Sequence, residues 1–299
     1  MTEGAAEDNE ALRELFELLR GVHVERLDTA PDTVYHYTTA AGIAGIVASG
    51  YFRGTNFSFL NDSSEFRYGA ELAINRFEAE TKNRDERDVT ALYLGVGGEV
   101  WMEKQLSLSE TYVACFTESR DDLNQWRGYG GSADRYCLGL NSEALIHNQY
   151  SFAPVIYSRE EQEALLSDYV SRTHRFLADR TPPPSDWLQI SAVKIVCRWM
   201  MVSIPFLKDP HFASEREWRA VRDIDSVAKD ELFFDSSSGA LRPYVRLFES
   251  GDSKLPITEV VVQSARHDER AVKAVSLLLA RYGYDDVTVA ESEVPFRWN

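Results

Sequence analysis

The feature that most restricts the fold is the irregular way in which short β-favouring runs are interleaved with helical stretches. Val34–Tyr37, Tyr51–Phe59, Thr111–Thr117, Tyr136–Leu140, Val155–Tyr157, Glu217–Arg222, Tyr244–Leu247, Glu259–Val262 and Val287–Val289 read as strands. Between them, apolar residues recur at helical spacing: Leu12, Leu15, Phe16, Leu18 and Leu19; then Ile43, Ile46 and Val47; then Phe66 to Phe77. Further helices are predicted over 159–180, 187–204 and 268–282, with one or two more within 89–107. A strict strand–helix alternation would indicate a parallel sheet; many short strands among scattered helices predict an α+β fold. No internal repeat or long linker divides the chain. Residues 31–299 are therefore expected to form a single α+β domain with helical insertions. Residues 1–30 form an extension carrying an amphipathic helix, with 1–10 disordered.

Local signals place the second helix closely. Thr38 or Thr39 can cap its start, because a hydroxyl accepts from the first free amides, and Gly50 stands where a left-handed stop is expected.

Composition narrows the function classes. The formal net charge of −16 argues against nonspecific binding to nucleic acid or anionic membranes, which would be repelled. No apolar run approaches the roughly 18 residues of a spanning helix, and Met1-Thr2-Glu3-Gly4 lacks the basic start of a secretory leader. Cys115, Cys137 and Cys197 are odd in number and share no CxxC spacing, so a reducing cytoplasm is expected, without disulfides or zinc. The histidines are dispersed, and no metal site is expected. The GxxxxGK[ST] phosphate loop and the HExxH helix are absent, Gly130-Gly131-Ser132-Ala133-Asp134 fails the GxSxG elbow, and Gly95-Val96-Gly97-Gly98 lacks a convincing βαβ unit.

Three segments interrupt half-buried strands with polar residues. Tyr35-His36-Tyr37-Thr38 ends a strand at the mouth of a helix, where backbone amides point outward; it reads as a ligand site or as a structural histidine beside a capping threonine. Cys115-Phe116-Thr117-Glu118, followed by Trp126 and Tyr129, can wall a flat ring or serve as core. In Ser214-Glu215-Arg216-Glu217-Trp218-Arg219, Glu215, Glu217 and Arg219 share a face if Glu217 opens a strand. Two carboxylates there can do acid–base work or stabilise a developing cation, or they form a charged solvent face. Asn61, Asp62 and Glu65 either approach a ligand or form an Asx turn capping the next helix.

Together these segments, VYHYT at Val34–Thr38, FLNDSSE at Phe59–Glu65, YVACFT at Tyr112–Thr117, Gln125-Trp126 with Tyr129, EREWR at Glu215–Arg219 and SEVPFR at Ser292–Arg297, resemble a bacterial domain-of-unknown-function family. That family in turn resembles a distant branch of the ADP-ribosyltransferases, whose split, mainly antiparallel sheet clasps NAD. The resemblance implies that His36, with Tyr37 and Thr38, holds the NAD ribose and that Phe116, Thr117, Trp126 and Tyr129 line the pocket. It implies that Glu217 is catalytic, with Glu215 completing E-x-E, although CFT replaces the serine-threonine-serine of arginine-directed toxins. The implied activity is transfer of ADP-ribose from NAD, as substrate, to a protein or nucleic-acid acceptor, as in a toxin or phage-defence effector. The alternatives are an NAD glycohydrolase and a noncatalytic nucleotide-sensing or protein-interaction module.

Overall fold

The computed structural model describes residues 3–24, 30–60, 63–82, 111–128, 134–146, 151–181, 183–222, 229–236, 241–249, 254–263 and 269–295. In chain order, their elements are α1 (Glu3–Val24), β1 (Thr33–Thr39), α2 (Ala40–Ser49), β2 (Phe52–Asn56), α3 (Ser63–Lys82) and β3 (Tyr112–Thr117). There follow α4 (Leu123–Gly128), β4 (Arg135–Asn141), β5 (Ser151–Pro154), α5 (Arg159–Ala178) and α6 (Asp186–Ser203). The chain continues with β6 (Glu217–Arg222), β7 (Phe233–Asp235), β8 (Arg242–Leu247), β9 (Ile257–Gln263), α7 (Glu269–Arg281) and β10 (Thr288–Glu291). They fall into two compact units, one drawn from Met1–Asp28, Phe57–Thr111 and Val155–Phe212, the other from Thr29–Asn56, Tyr112–Pro154 and Ala213–Asn299.

The first unit is helical. Leu15 and Leu19 of α1 are buried, as the helical spacing requires, and α1 packs on α5 and α6. Residues 3–10, expected to be disordered, are the opening turns of α1. The Ser185 hydroxyl donates to Asp8 at 2.7 Å and Arg180 pairs with Glu14 at 2.5 Å, so contacts from distant sequence hold a segment whose composition alone would not. Ser185 also caps α6 by accepting from the Leu188 amide. The stretch Asp186–Phe206 is long and apolar enough to cross a membrane, but half of its apolar window is buried and α6 packs on α1 and α5. Gln162 is fully buried with both polar atoms satisfied: Nε2 donates to the carbonyls of Ile156 and Lys208, at 2.6 and 2.7 Å, and Oε1 accepts from Tyr68. Glu65 pairs with buried Lys208 at 2.8 Å, which gives it a structural partner, whereas Asn61 and Asp62 lie outside the described residues.

The second unit holds one ten-stranded, mostly antiparallel sheet in the order β10-β9-β4-β1-β3-β2-β8-β7, with β6 on β3 and β5 on β6. Only β10 on β9 runs parallel among these pairings. The α+β expectation holds. Val34, Leu138, Leu140, Val260 and Val262 form one core with Ile43, Ile46 and Val47 of α2 and Val275 and Leu279 of α7. α2 begins at Thr39, whose hydroxyl accepts from the Gly42 amide, and stops at Gly50, at φ +70°. The expected strand Tyr51–Phe59 ends at Asn56, because Phe57–Phe59 turn into a 3-10 helix. That at Val155–Tyr157 is displaced to β5, and Ile156 keeps a single bridge to Leu207. β7 was not anticipated, and the helices expected within 89–107 lie outside the described residues.

Candidate functional site

The edge of β3 that faces away from β6 is shared by two strands. β1 meets it only at Tyr35↔Thr117, and β2 only at Thr55↔Val113 and Asn56↔Tyr112. Beyond these points β1 stays with β4 and β2 stays with β8, so the two strands part and leave Ala114–Phe116 without a ladder partner on that edge among the described residues. The two strands thus form a fork on one edge of β3.

His36 stands at the fork. Its Nδ1 donates to the Cys115 carbonyl at 2.9 Å, so a side chain replaces the missing ladder bond. A carbonyl only accepts, which fixes the proton on Nδ1 and leaves Nε2 as an acceptor, with no hydrogen bond among the described residues. Burial pushes the pKa below the ordinary 6.5, outweighing the opposing carbonyl bond, so the ring is neutral at pH 7. Its ring packs against Phe52 and Phe116, centroids 5.0 and 5.6 Å away, and Phe248 lies 6.1 Å from both phenylalanines. Phe248 (φ +62°) and Arg216 (φ +42°) are the non-glycine residues in left-handed backbone among the described ones, and both adjoin β3 or its aromatic cluster. Such conformations cost about 1–3 kcal/mol each and concentrate at functional sites.

Register then decides which side chains share a face. Directly opposed residues of antiparallel strands point the same way and neighbours along a strand point oppositely. The row Tyr35–Thr117–Glu217 therefore puts Tyr35, Tyr37, Cys115, Thr117, Glu217 and Arg219 on one face. His36, Phe116 and Trp218 project from the other, as the His36–Phe116 contact attests. The three predicted stretches do converge on neighbouring strands. The imidazole and the Glu217 carboxylate leave the sheet on opposite faces, which the sequence reading did not anticipate.

Glu217 is also occupied. Arg219, two residues on, donates through Nε to Oε1 at 2.9 Å and through Nη2 to Oε2 at 2.8 Å, and both side chains are buried. Glu215 gives its carbonyl to the Thr117 hydroxyl at 2.6 Å, and Thr117 Oγ1 accepts from the Ser119 amide. The left-handed Arg216 between the glutamates breaks strand alternation there, and its Nη2 donates to Ser119 Oγ at 2.8 Å.

The predicted aromatic wall is core. Tyr37 and Trp126 pack edge to face at 4.6 Å, buried beside Cys137 and Val261. The Tyr37 hydroxyl donates to the Ser119 carbonyl and accepts from the Asp122 amide, and Trp126 Nε1 donates to Asp121. Phe116 is buried in the aromatic cluster, and Thr38 lies under the start of α2. Tyr129 lies outside the described residues.

A further carboxylate, Glu118, follows β3. It lies in the bend just after β3, on the side of Trp218. Its Oε1 accepts from Trp218 Nε1 at 2.9 Å, and its amide donates to the Arg216 carbonyl at 3.1 Å.

No group of three or more metal-ligating side chains occurs among the described residues. Burial raises the Cys137 thiol pKa well above its ordinary value and that of Cys197 to about 12, which keeps both protonated. Two adjoining grooves of about 800 and 520 Å³ run along α1 and α5 and meet at Asp168. Their Arg172 and Arg180 are already paired, with Asp168 and Glu14, and neither groove is lined by a sheet residue.

No curated protein and no solved structure matches the chain. Residues 125–220 match a family described as Protein of unknown function (DUF2971). The matched stretch runs from Gln125 to Ala220 and so includes Trp126, Glu215, Glu217 and Arg219; over it, the chain is similar to a domain of unknown function.

Proposed function

We propose that the fork of β1 and β2 binds an NAD-type dinucleotide and that the protein transfers its ADP-ribose to a macromolecular acceptor, protein or nucleic acid. The observation that carries this reading is the parting of two strands from one edge of β3, with the open Nε2 of a neutral imidazole at the mouth. A neutral histidine offering an acceptor suits a ribose hydroxyl and does not suit a phosphate, which needs donors.

In the transfer, the ribose–nicotinamide C–N bond breaks and its electron pair leaves with nicotinamide. Positive charge develops on the ribose C1 and ring oxygen, as in glycoside cleavage. An acceptor oxygen or nitrogen bonds to C1 and gives up its proton. A carboxylate about 4 Å from that charge contributes about 4 kcal/mol at an effective dielectric near 20. Felt only in the transition state, that is about a thousandfold in rate.

The test is incubation of the purified chain with labelled NAD and cell extract. Label entering protein or nucleic acid supports transfer, and free ADP-ribose as the sole product points to hydrolysis. His36→Ala should weaken NAD binding roughly tenfold, the worth of one hydrogen bond. Unchanged affinity refutes the site. The engagement of Glu217 by Arg219 favours a second reading, a nucleotide-binding module without turnover, for which calorimetry would find NAD bound and no nicotinamide released.

A further inference from the structure

We infer that Glu118, rather than Glu217, is the catalytic carboxylate of this site; the inference rests on the dinucleotide reading above. A group that steadies the ribose cation must reach the same sugar as His36, so it must leave the sheet on the same face. Register excludes Glu217, which opposes Thr117 and shares its face with Tyr35. Chemistry excludes it again, because both of its carboxylate oxygens already accept from Arg219. Withdrawing it would break both of these bonds to a buried guanidinium. Glu215 lies outside β6, before the left-handed Arg216, so register does not place it on the face of His36.

Glu118 meets the requirement. It lies just past the end of β3, and its carboxylate accepts from the indole of Trp218, which projects from the face of His36. It is exposed, unlike Glu217. Its Oε1 is held by Trp218 Nε1, and Trp218 is rigid: 1% exposed and packed on Phe152 at 5.4 Å. Oε2 makes no hydrogen bond among the described residues, so one oxygen is anchored and the other presented. The backbone at Glu118 is pinned by its bond to the Arg216 carbonyl, which gives the strained Arg216 a purpose. A ribose hydroxyl donating to Oε2 would set a full negative charge beside C1 while His36 Nε2 accepts from a neighbouring hydroxyl. Trp218 then acts as a positioning residue.

The test compares the full-length chain with Glu118→Gln, Glu217→Gln and Trp218→Phe, measuring NAD affinity by calorimetry, nicotinamide release and melting temperature. Glu118→Gln should cut nicotinamide release a hundredfold or more, with NAD affinity within about threefold and melting unchanged. Trp218→Phe should lower kcat and leave KM nearly constant. Glu217→Gln should lower the melting temperature and leave release per folded molecule near that of the wild type. Full release by Glu118→Gln, or release abolished by Glu217→Gln at unchanged melting temperature, overturns the assignment. Wild-type protein that binds NAD and releases no nicotinamide removes the catalytic role and leaves the binding site standing. Wild-type protein that binds no NAD removes the dinucleotide reading, and the assignment with it.

Discussion

Arg219 is fully buried and spends two guanidinium nitrogens on one glutamate, while His36 spends one ring nitrogen on a carbonyl and keeps the other. These commitments distinguish a fully engaged side chain from one with a ring nitrogen to spare. Arg219→Met removes both of these bonds from the buried Glu217 carboxylate and should cost about 3–5 kcal/mol in denaturant unfolding. The double variant with Glu217→Leu should recover much of that loss, since replacing both charges removes the desolvation penalty as well. Were the single variant as stable as the wild type, the pair would be a minor contact. His36 supplies a pH signature. Its pKa is lowered in the folded state, so on acidification the unfolded chain takes the proton first. Its contribution is therefore complete above pH 6.5 and declines as the pH falls below it. Carboxylates titrate too, so the measurable quantity is a difference. Between pH 7.5 and 5 the wild type should lose more stability than His36→Gln, and equal losses would mean that the imidazole is not desolvated.

Among elements, α2 shows what local sequence can specify. Its cap and its stop are both local chemistry, and both were readable: Thr39 accepts from the Gly42 amide, and Gly50 adopts a left-handed conformation. Thr39→Ala should cost about 1 kcal/mol. Gly42→Ala should destabilise as well, although alanine favours a helix by about 1 kcal/mol, because a Cβ there would stand 1.9 Å from Thr38 Oγ1. Thermal melts would check both, and a stabilised Gly42→Ala would show that Thr38 can yield. Most strand centres were equally readable from their β-favouring runs, β5 and β7 excepted. The period-two rule correctly put Glu217 and Arg219 on one face but could not reveal that they neutralise each other. The faces of His36 and Glu217 were beyond reach, because they depend on the alignments Tyr35↔Thr117 and Thr117↔Glu217 between residues far apart in sequence. For the same reason Tyr37 and Trp126 could be read as a ligand wall, since their satisfied polar atoms lie in a loop that only the tertiary structure brings near.

For the molecule as a whole, the net charge of −16 sets a background of self-repulsion that no single pair removes. Many of its ion pairs are partly exposed and contribute little individually. Screening should therefore help more than it harms: raising salt from about 20 to 500 mM should increase the melting temperature, because the Debye length falls below about 5 Å. A decrease would mean that the pairs outweigh the repulsion. Within the sheet unit, the forked edge of β3 has a dynamic consequence. Strands β1 and β2 are each laddered firmly on their outer side and meet β3 only at opposite ends, so the seam between them can widen without breaking either outer ladder. A molecule seated in that seam would quench the breathing of both strands together. Deuterium uptake would slow in 33–39 and 52–56 in concert, although a whole helix separates them along the chain.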